Sequence, residues 1–142
     1  MTDDQRDEKG VLEANRAFYR IIRDGDIGAM DQLWAQSVAV ACTHPGWPPL
    51  HGREEVMESW ARVFEAGEDE GGFHIDCDDE TVYFLNQGAA LVVCNESLEE
   101  GALAASNCFL FEAGGWRLVH HQAGPLAVTV AGEDDDEPPV LH

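Results

Sequence analysis

An α+β fold, with helices covering one face of an antiparallel sheet, is predicted by three features of this 142-residue sequence. Apolar residues recur at helical spacing in three stretches between Val11 and Phe64. After Gly72 the apolar period changes to two. The later two-periodic stretches are parted by Gly88, Glu100-Gly101 and Gly114-Gly115, spacings short enough for hairpins. Helices first and hairpins afterwards is the order expected of an α+β domain. A chain of this length makes one domain and needs no disulfide or metal to complete its core.

In the first stretch, Val11, Ala14, Phe18, Ile21 and Ile22 share a helix face, with Arg16, Arg20 and Arg23 largely on the other. Gly25 suits the helix C-terminus, where positive φ is required. Asp26 can cap a short second helix that carries Ile27, Met30, Leu33 and Trp34. Val38, Val40 and Cys42 then alternate with Ala39, Ala41 and Thr43 as a strand, until Pro45, Gly46, Pro48 and Pro49 break it into a loop. A third helix is expected from about Arg53 to Ala66, with Glu54 and Glu55 favourably placed in its first turn. Five strands follow: Phe73–Cys77, Thr81–Asn86, Ala89–Leu98, Leu103–Glu112 and Trp116–Ala123.

The charge excludes several functions. Eight basic residues against 28 acidic ones give a net charge of −20, which repels nucleic acid and anionic membranes. No apolar run approaches the roughly 20 residues of a membrane span. The acidic N-terminus is unlike a signal peptide, so a soluble, cytoplasmic protein is expected. Residues 1–126 are read as the domain. The acidic run Glu133–Glu137 and Pro138-Pro139 mark 127–142 as a disordered tail. Cys42, Cys77, Cys94 and Cys108 form no CxxC pair, and no HExxH occurs, so neither a metal nor a thiol-redox motif is expected. Four core thiols are the plain alternative.

Several short motifs carry a resemblance. Thr43-His44-Pro45-Gly46-Trp47, Leu50-His51-Gly52-Arg53-Glu54 and Trp60 resemble the loop and third helix of a SnoaL-like domain, within the nuclear transport factor 2-like superfamily. Val93-Cys94-Asn95-Glu96, Ala105-Ser106-Asn107 and Trp116-Arg117-Leu118-Val119-His120-His121 extend the likeness to residues 8–126. The resemblance implies a cone: a curved, mostly antiparallel sheet wrapped around three N-terminal helices, with a pocket at the open end. It also implies a wide choice of functions, from ketosteroid isomerases, polyketide cyclases, dehydratases and epoxide hydrolases to association modules without catalysis. The last strand departs from close relatives, with Gln122 and Ala123-Gly124-Pro125 where they carry a further His and Ala-Ser-Pro.

Strand parity nominates the pocket lining. Ala90, Val92, Cys94, Glu96 and Leu98 share a face, so Glu96 is a carboxylate among apolar neighbours and a candidate general base or acid. The competing reading is a structural Glu bonded to a neighbouring polar group. Trp116, Leu118, His120 and Gln122 are expected to face inward, with Arg117, Val119 and His121 on the opposite side. His120 is thereby the candidate imidazole, set against the plainer fate of a core His. His44 and Trp47 could rim the pocket, one moving a proton and the other stacking on a flat ligand, or they could anchor the loop. Asn107 could orient a ligand carbonyl or cross-link strands. Tyr19, Trp34 and Trp60 complete the candidate ligand-binding set, and helix-to-sheet packing is their alternative. The expected ligand is a small, mostly apolar molecule handled without a cofactor. The alternative is a non-catalytic ligand-binding or dimerisation module. Apolar residues at both parities of the later strands predict a homodimer through the sheet face away from the helices.

Overall fold

The computed structural model describes residues 7–68 and 71–126. The suggested acidic tail at 127–142 lies outside them. Helices α1 (Glu8–Asp24), α2 (Ile27–Leu33) and α3 (Arg53–Glu68) pack on one face of a curved, unclosed sheet. The strands are β1 (Ala41–Thr43), β2 (Leu50–His51), β3 (Asp76–Asn86), β4 (Ala89–Leu98), β5 (Gly101–Glu112) and β6 (Gly115–Pro125). Their order in the sheet is β2-β1-β6-β5-β4-β3, and every pairing is antiparallel except β1 with β6. The predicted α+β class is therefore observed.

Local chemistry fixes the helix ends. Gly25 adopts φ 64°, and its N–H reaches the carbonyls of Ile21 and Ile22, closing α1. The Asp26 carboxylate accepts from Ala29 N at 3.1 Å and opens α2. At the start of α3, Arg53 donates from Nη1 to the carbonyls of Trp34 and Ala35, both at 3.0 Å, and from Nη2 to the Asp31 carboxylate at 2.6 Å. One guanidinium thus ties α3 to the chain leaving α2.

The sheet corrects several boundaries. The two separate strands expected at Phe73–Cys77 and Thr81–Asn86 are one strand beginning at Asp76, with an irregularity between Asp78 and Thr81. Asp79 takes φ 57° there, which lets the strand bend without ending. The first strand is shorter than expected, and Val38 is exposed rather than part of it. The two-residue β2 was not anticipated, since so short a run carries no period.

A second irregularity matters more. In the β5–β6 ladder Cys108 pairs with His120 but Phe109 pairs with Leu118, leaving Val119 as an extra residue. The insertion inverts parity along β6. Trp116 and Leu118 are buried before it, His121 and Ala123 after it. Contrary to expectation, His121 faces the helices. His120 and Gln122 fall on the other side of the sheet, beside Cys108 and Ser106.

The core joins Val11, Phe18, Ile22, Met30, Val56 and Trp60 of the helices to Ala90, Val92, Phe109 and Leu118 of the sheet. Cys42 and Cys94 are buried within it, whereas Cys77 and Cys108 are half-buried, so two of the four expected core thiols are not core residues. Among the described residues no helix is long and apolar enough to cross a membrane.

Candidate active site

The helices do not fill the sheet's inner face evenly. Between α1, α3 and the outer parts of β4–β6 lies an open cavity of about 540 Å³. Trp47, Trp60, Val63, Phe73, Ile75 and Leu103 supply most of its apolar wall, and His44, Glu96 and His121 are its polar lining within the core. Arg62 stands at its edge.

Glu96 is carried inward by the parity of β4 and is 3% exposed. Tyr19, from α1, donates its hydroxyl to Glu96 Oε2 at 2.6 Å. Glu96 Oε1 has no partner among the described residues. Burial raises the carboxyl's pKa above its ordinary value, and the Tyr19 hydrogen bond opposes that rise. The Tyr19 phenol is itself held protonated by burial and by the neighbouring carboxyl.

His121 sits next to this pair, with Nε2 4.0 Å from Glu96 Oε2. Its Nδ1 lies 2.6 Å from Asn107 Oδ1. Asn107 Nδ2 donates to Tyr19 Oη at 3.1 Å and to Asn15 Oδ1 at 2.8 Å. Asn15 Nδ2 in turn donates to Glu80 Oε2 at 2.8 Å, and Arg16 clasps Glu80 Oε1. A continuous polar chain therefore runs from the surface to the cavity wall. Burial, and then the neighbouring His44 and His120, lower the His121 pKa to about 3, so the ring is neutral at physiological pH.

His44 continues the inward face of β1 and is buried with Nε2 2.8 Å from Ser59 Oγ of α3. Its ring packs edge-on against Trp47 and Trp60, with centroids 4.8 and 4.6 Å away. Burial lowers its pKa to about 4.

The predicted residues thus divide. His44, Trp47, Trp60 and Glu96 line one cavity, with Tyr19 and Asn107 directly behind its polar wall. Trp34 does not belong to the group. Its strand-like backbone pairs with Leu118, and its fully buried indole packs in the core, outside the cavity lining. His120 and Gln122 are excluded by the inversion in β6. Parity assigned the imidazole to the wrong neighbour, and His121 occupies the position. Asn15, Ser59 and Glu80 were missed. Asn15 had a signal: it lies four residues from both Val11 and Tyr19, on the buried stripe of α1. Among the described residues no cluster of His, Cys, Asp and Glu is arranged to hold a metal.

The comparisons agree with this architecture. A candidate dehydratase of the nuclear transport factor 2-like family from Streptomyces avermitilis is 32% identical, with a TM-score of 0.79 over 89% of this chain and 100% of that one. A candidate calcium/calmodulin-dependent protein kinase type II association domain from Thiobacillus denitrificans is 29% identical, with a TM-score of 0.70 over 80% of this chain and 93% of that one. The F-box protein SKIP8 of Arabidopsis thaliana is 28% identical over 135 residues, covering 94% of this chain. The chain spans only 54% of that curated relative's length. Residues 11–128 match the SnoaL-like domain family, and with three helices on a curved six-stranded sheet the chain belongs to that family.

Proposed function

We propose that this SnoaL-like domain binds a small, mostly apolar molecule in its cavity and moves a proton on it, as an isomerase, cyclase or dehydratase does without a cofactor. Glu96 carries the reading: a buried carboxyl beside an apolar cavity, with one oxygen held by Tyr19 and the other without a partner among the described residues. A carboxyl whose pKa burial raises above its ordinary value is, once ionised, a stronger proton acceptor than an exposed one. Glu96 takes a proton from one ligand position and returns it at another. His121 stands 4.0 Å away and His44 lies in the same lining, both as neutral imidazoles that can accept a hydrogen bond from the ligand. Tyr19 and Asn107 position Glu96 and His121. The Streptomyces relative's name as a candidate dehydratase supports this class of chemistry.

Mass spectrometry of molecules that copurify with the full chain supplies the test ligand. Turnover of that ligand or its analogues should fall about 10²–10⁴-fold in Glu96→Gln, with binding retained. Unchanged turnover contradicts the assignment.

A second reading concerns assembly and is compatible with the first. Tyr83 and Val93 are exposed on the face away from the helices, and Tyr83 pairs with Leu91, which pairs with Cys108. The positions flanking these on the same face of β4 and β5 are Asn95, Ala102, Ala104, Ser106 and Leu110. None of these is itself an acid, in a chain of net charge −20, and Asp79 of β3 reaches the patch at Asn95 Nδ2, 3.1 Å away. Such a surface suits a second copy across a two-fold axis. Sedimentation should give a dimer that strengthens with salt as the remaining repulsion is screened. A monomer at every concentration and salt refutes it.

A further inference from the structure

The geometry points to a ligand class: the cavity selects an uncharged hydroxyl compound, an apolar body bearing an alcohol or phenol, over anions and over molecules that only accept hydrogen bonds. This rests on the small-molecule reading above and deepens it.

Arg16 donates from Nε and Nη2 to Glu80 Oε1 at 3.0 and 2.9 Å, so Glu80 is an ion-paired carboxylate and can only accept. Asn15, 2.8 Å from Glu80 Oε2, must present its NH2 there, which turns its Oδ1 toward Asn107. Asn107 must then donate to Asn15, which turns its own Oδ1 toward His121. His121 therefore carries its proton on Nδ1 and leaves Nε2 bare. A surface ion pair thus sets the tautomer of an imidazole in the cavity wall.

A separate chain fixes His44. The Val56 carbonyl can only accept, so Ser59 Oγ donates to it at 2.7 Å. That uses the single hydroxyl proton, and the 2.8 Å contact with His44 Nε2 is a donation from the ring. Cys42 Sγ, 3.9 Å from the same nitrogen, is at most a weak second acceptor. His44 Nδ1 is left bare.

Neither bare nitrogen has a hydrogen-bond partner among the described residues. Neither is sealed off, since among the described residues the buried side-chain polar atoms without partners are the indole nitrogens of Trp34, Trp60 and Trp116. The two imidazoles of the cavity wall therefore offer lone pairs and no N–H of their own. A ketone or carboxylate placed there sets lone pair against lone pair, whereas a hydroxyl supplies the missing proton. Burial keeps both rings neutral, so neither offers an anion a charge. Arg62 at the edge already lies 3.7 Å from Glu58. An ammonium also donates, but it loses its hydration against an apolar wall.

The test is calorimetric titration of the full chain with four matched probes: 4-propylphenol, its methyl ether, 4-propylbenzoate and 4-propylbenzylammonium. The phenol should bind at least tenfold more tightly than each of the others. Long-range ¹H–¹⁵N spectra should place the proton on Nε2 of His44 and Nδ1 of His121. Equal binding of phenol and ether, or preference for the benzoate or ammonium, overturns this inference while leaving the small-molecule reading intact. The opposite tautomer at His121 overturns it whatever the affinities. Absence of binding by all four counts against both.

Discussion

The inner face of one sheet is built in two ways. At the closed end Trp34, Met30, Phe109 and Leu118 are buried with no titratable group among them. At the open end, Tyr19, Glu96, Asn107 and His121 are buried just as deeply and joined by hydrogen bonds. The closed end tolerates two unpartnered indole N–H groups, on Trp34 and Trp116. The open end holds a third, on Trp60, but among the described residues the partnerless atoms of His44, Glu96 and His121 are not sealed away there. The difference teaches where function can reside: an apolar end gains stability from packing, while a polar end holds reactive atoms only because its network fixes their protons. Val119, the extra residue in β6, lies between the two, after Leu118 and before His121.

The largest expected effect lies at the closed end. Phe109→Ala should cost about 3–5 kcal/mol in denaturant unfolding, since it empties a fully buried site. The open end should respond less: Asn107→Leu removes no packing volume of consequence but strands His121 Nδ1–H and Asn15 Oδ1, for about 1–3 kcal/mol. It should also release the His121 tautomer, visible in ¹⁵N spectra, which Phe109→Ala should not. If the two variants behave alike in those spectra, the division between the ends is wrong.

Acid should distinguish the ends next. Unfolded His titrates near 6.5, while His44 and His121 are held down to about 4 and 3. Their stabilising contribution is complete above pH 6.5 and is lost as pH falls toward the folded values. The slope is about 1.4 kcal/mol per pH unit for each imidazole. Glu96 has the opposite sign: its raised pKa favours folding below the unfolded value, and that advantage is lost as pH rises through the folded one. Glu96→Gln should therefore stabilise the protein at neutral pH, and His121→Phe should flatten the acid slope measured from urea midpoints. An unchanged slope in His121→Phe counts against its buried, neutral state.

The smallest effects are expected on the outer face. His120→Ala and Gln122→Ala should each change stability by no more than about 0.5 kcal/mol and leave ligand binding unaltered. Loss of binding in either variant would restore the uninterrupted parity of β6.

Those two residues also mark the limit of what the sequence could show. Helix ends were legible at Gly25 and Asp26 because positive φ and side-chain capping each demand particular residue types. The inward face of β4 was legible because its alternation is unbroken from Ala90 to Glu96. The parity of β6 was not, since the extra residue is Val119, and nothing in an ordinary β-branched residue announces a bulge. Trp34 has the composition of a ligand-stacking residue, and only its pairing with Leu118 places it in the core. Glu80 becomes relevant only once β3 is seen to run on through the irregularity at Asp79.

The central claim is that Glu96 is a carboxyl poised to exchange a proton in an apolar cavity. Titration of its side-chain carbon by ¹³C NMR, in wild type and in Tyr19→Phe, measures this directly. The account predicts a midpoint above the ordinary carboxylate range in wild type, and a further rise in Tyr19→Phe once the 2.6 Å hydrogen bond is removed. An ordinary or depressed midpoint, or one that falls when the tyrosine hydroxyl is deleted, would contradict it.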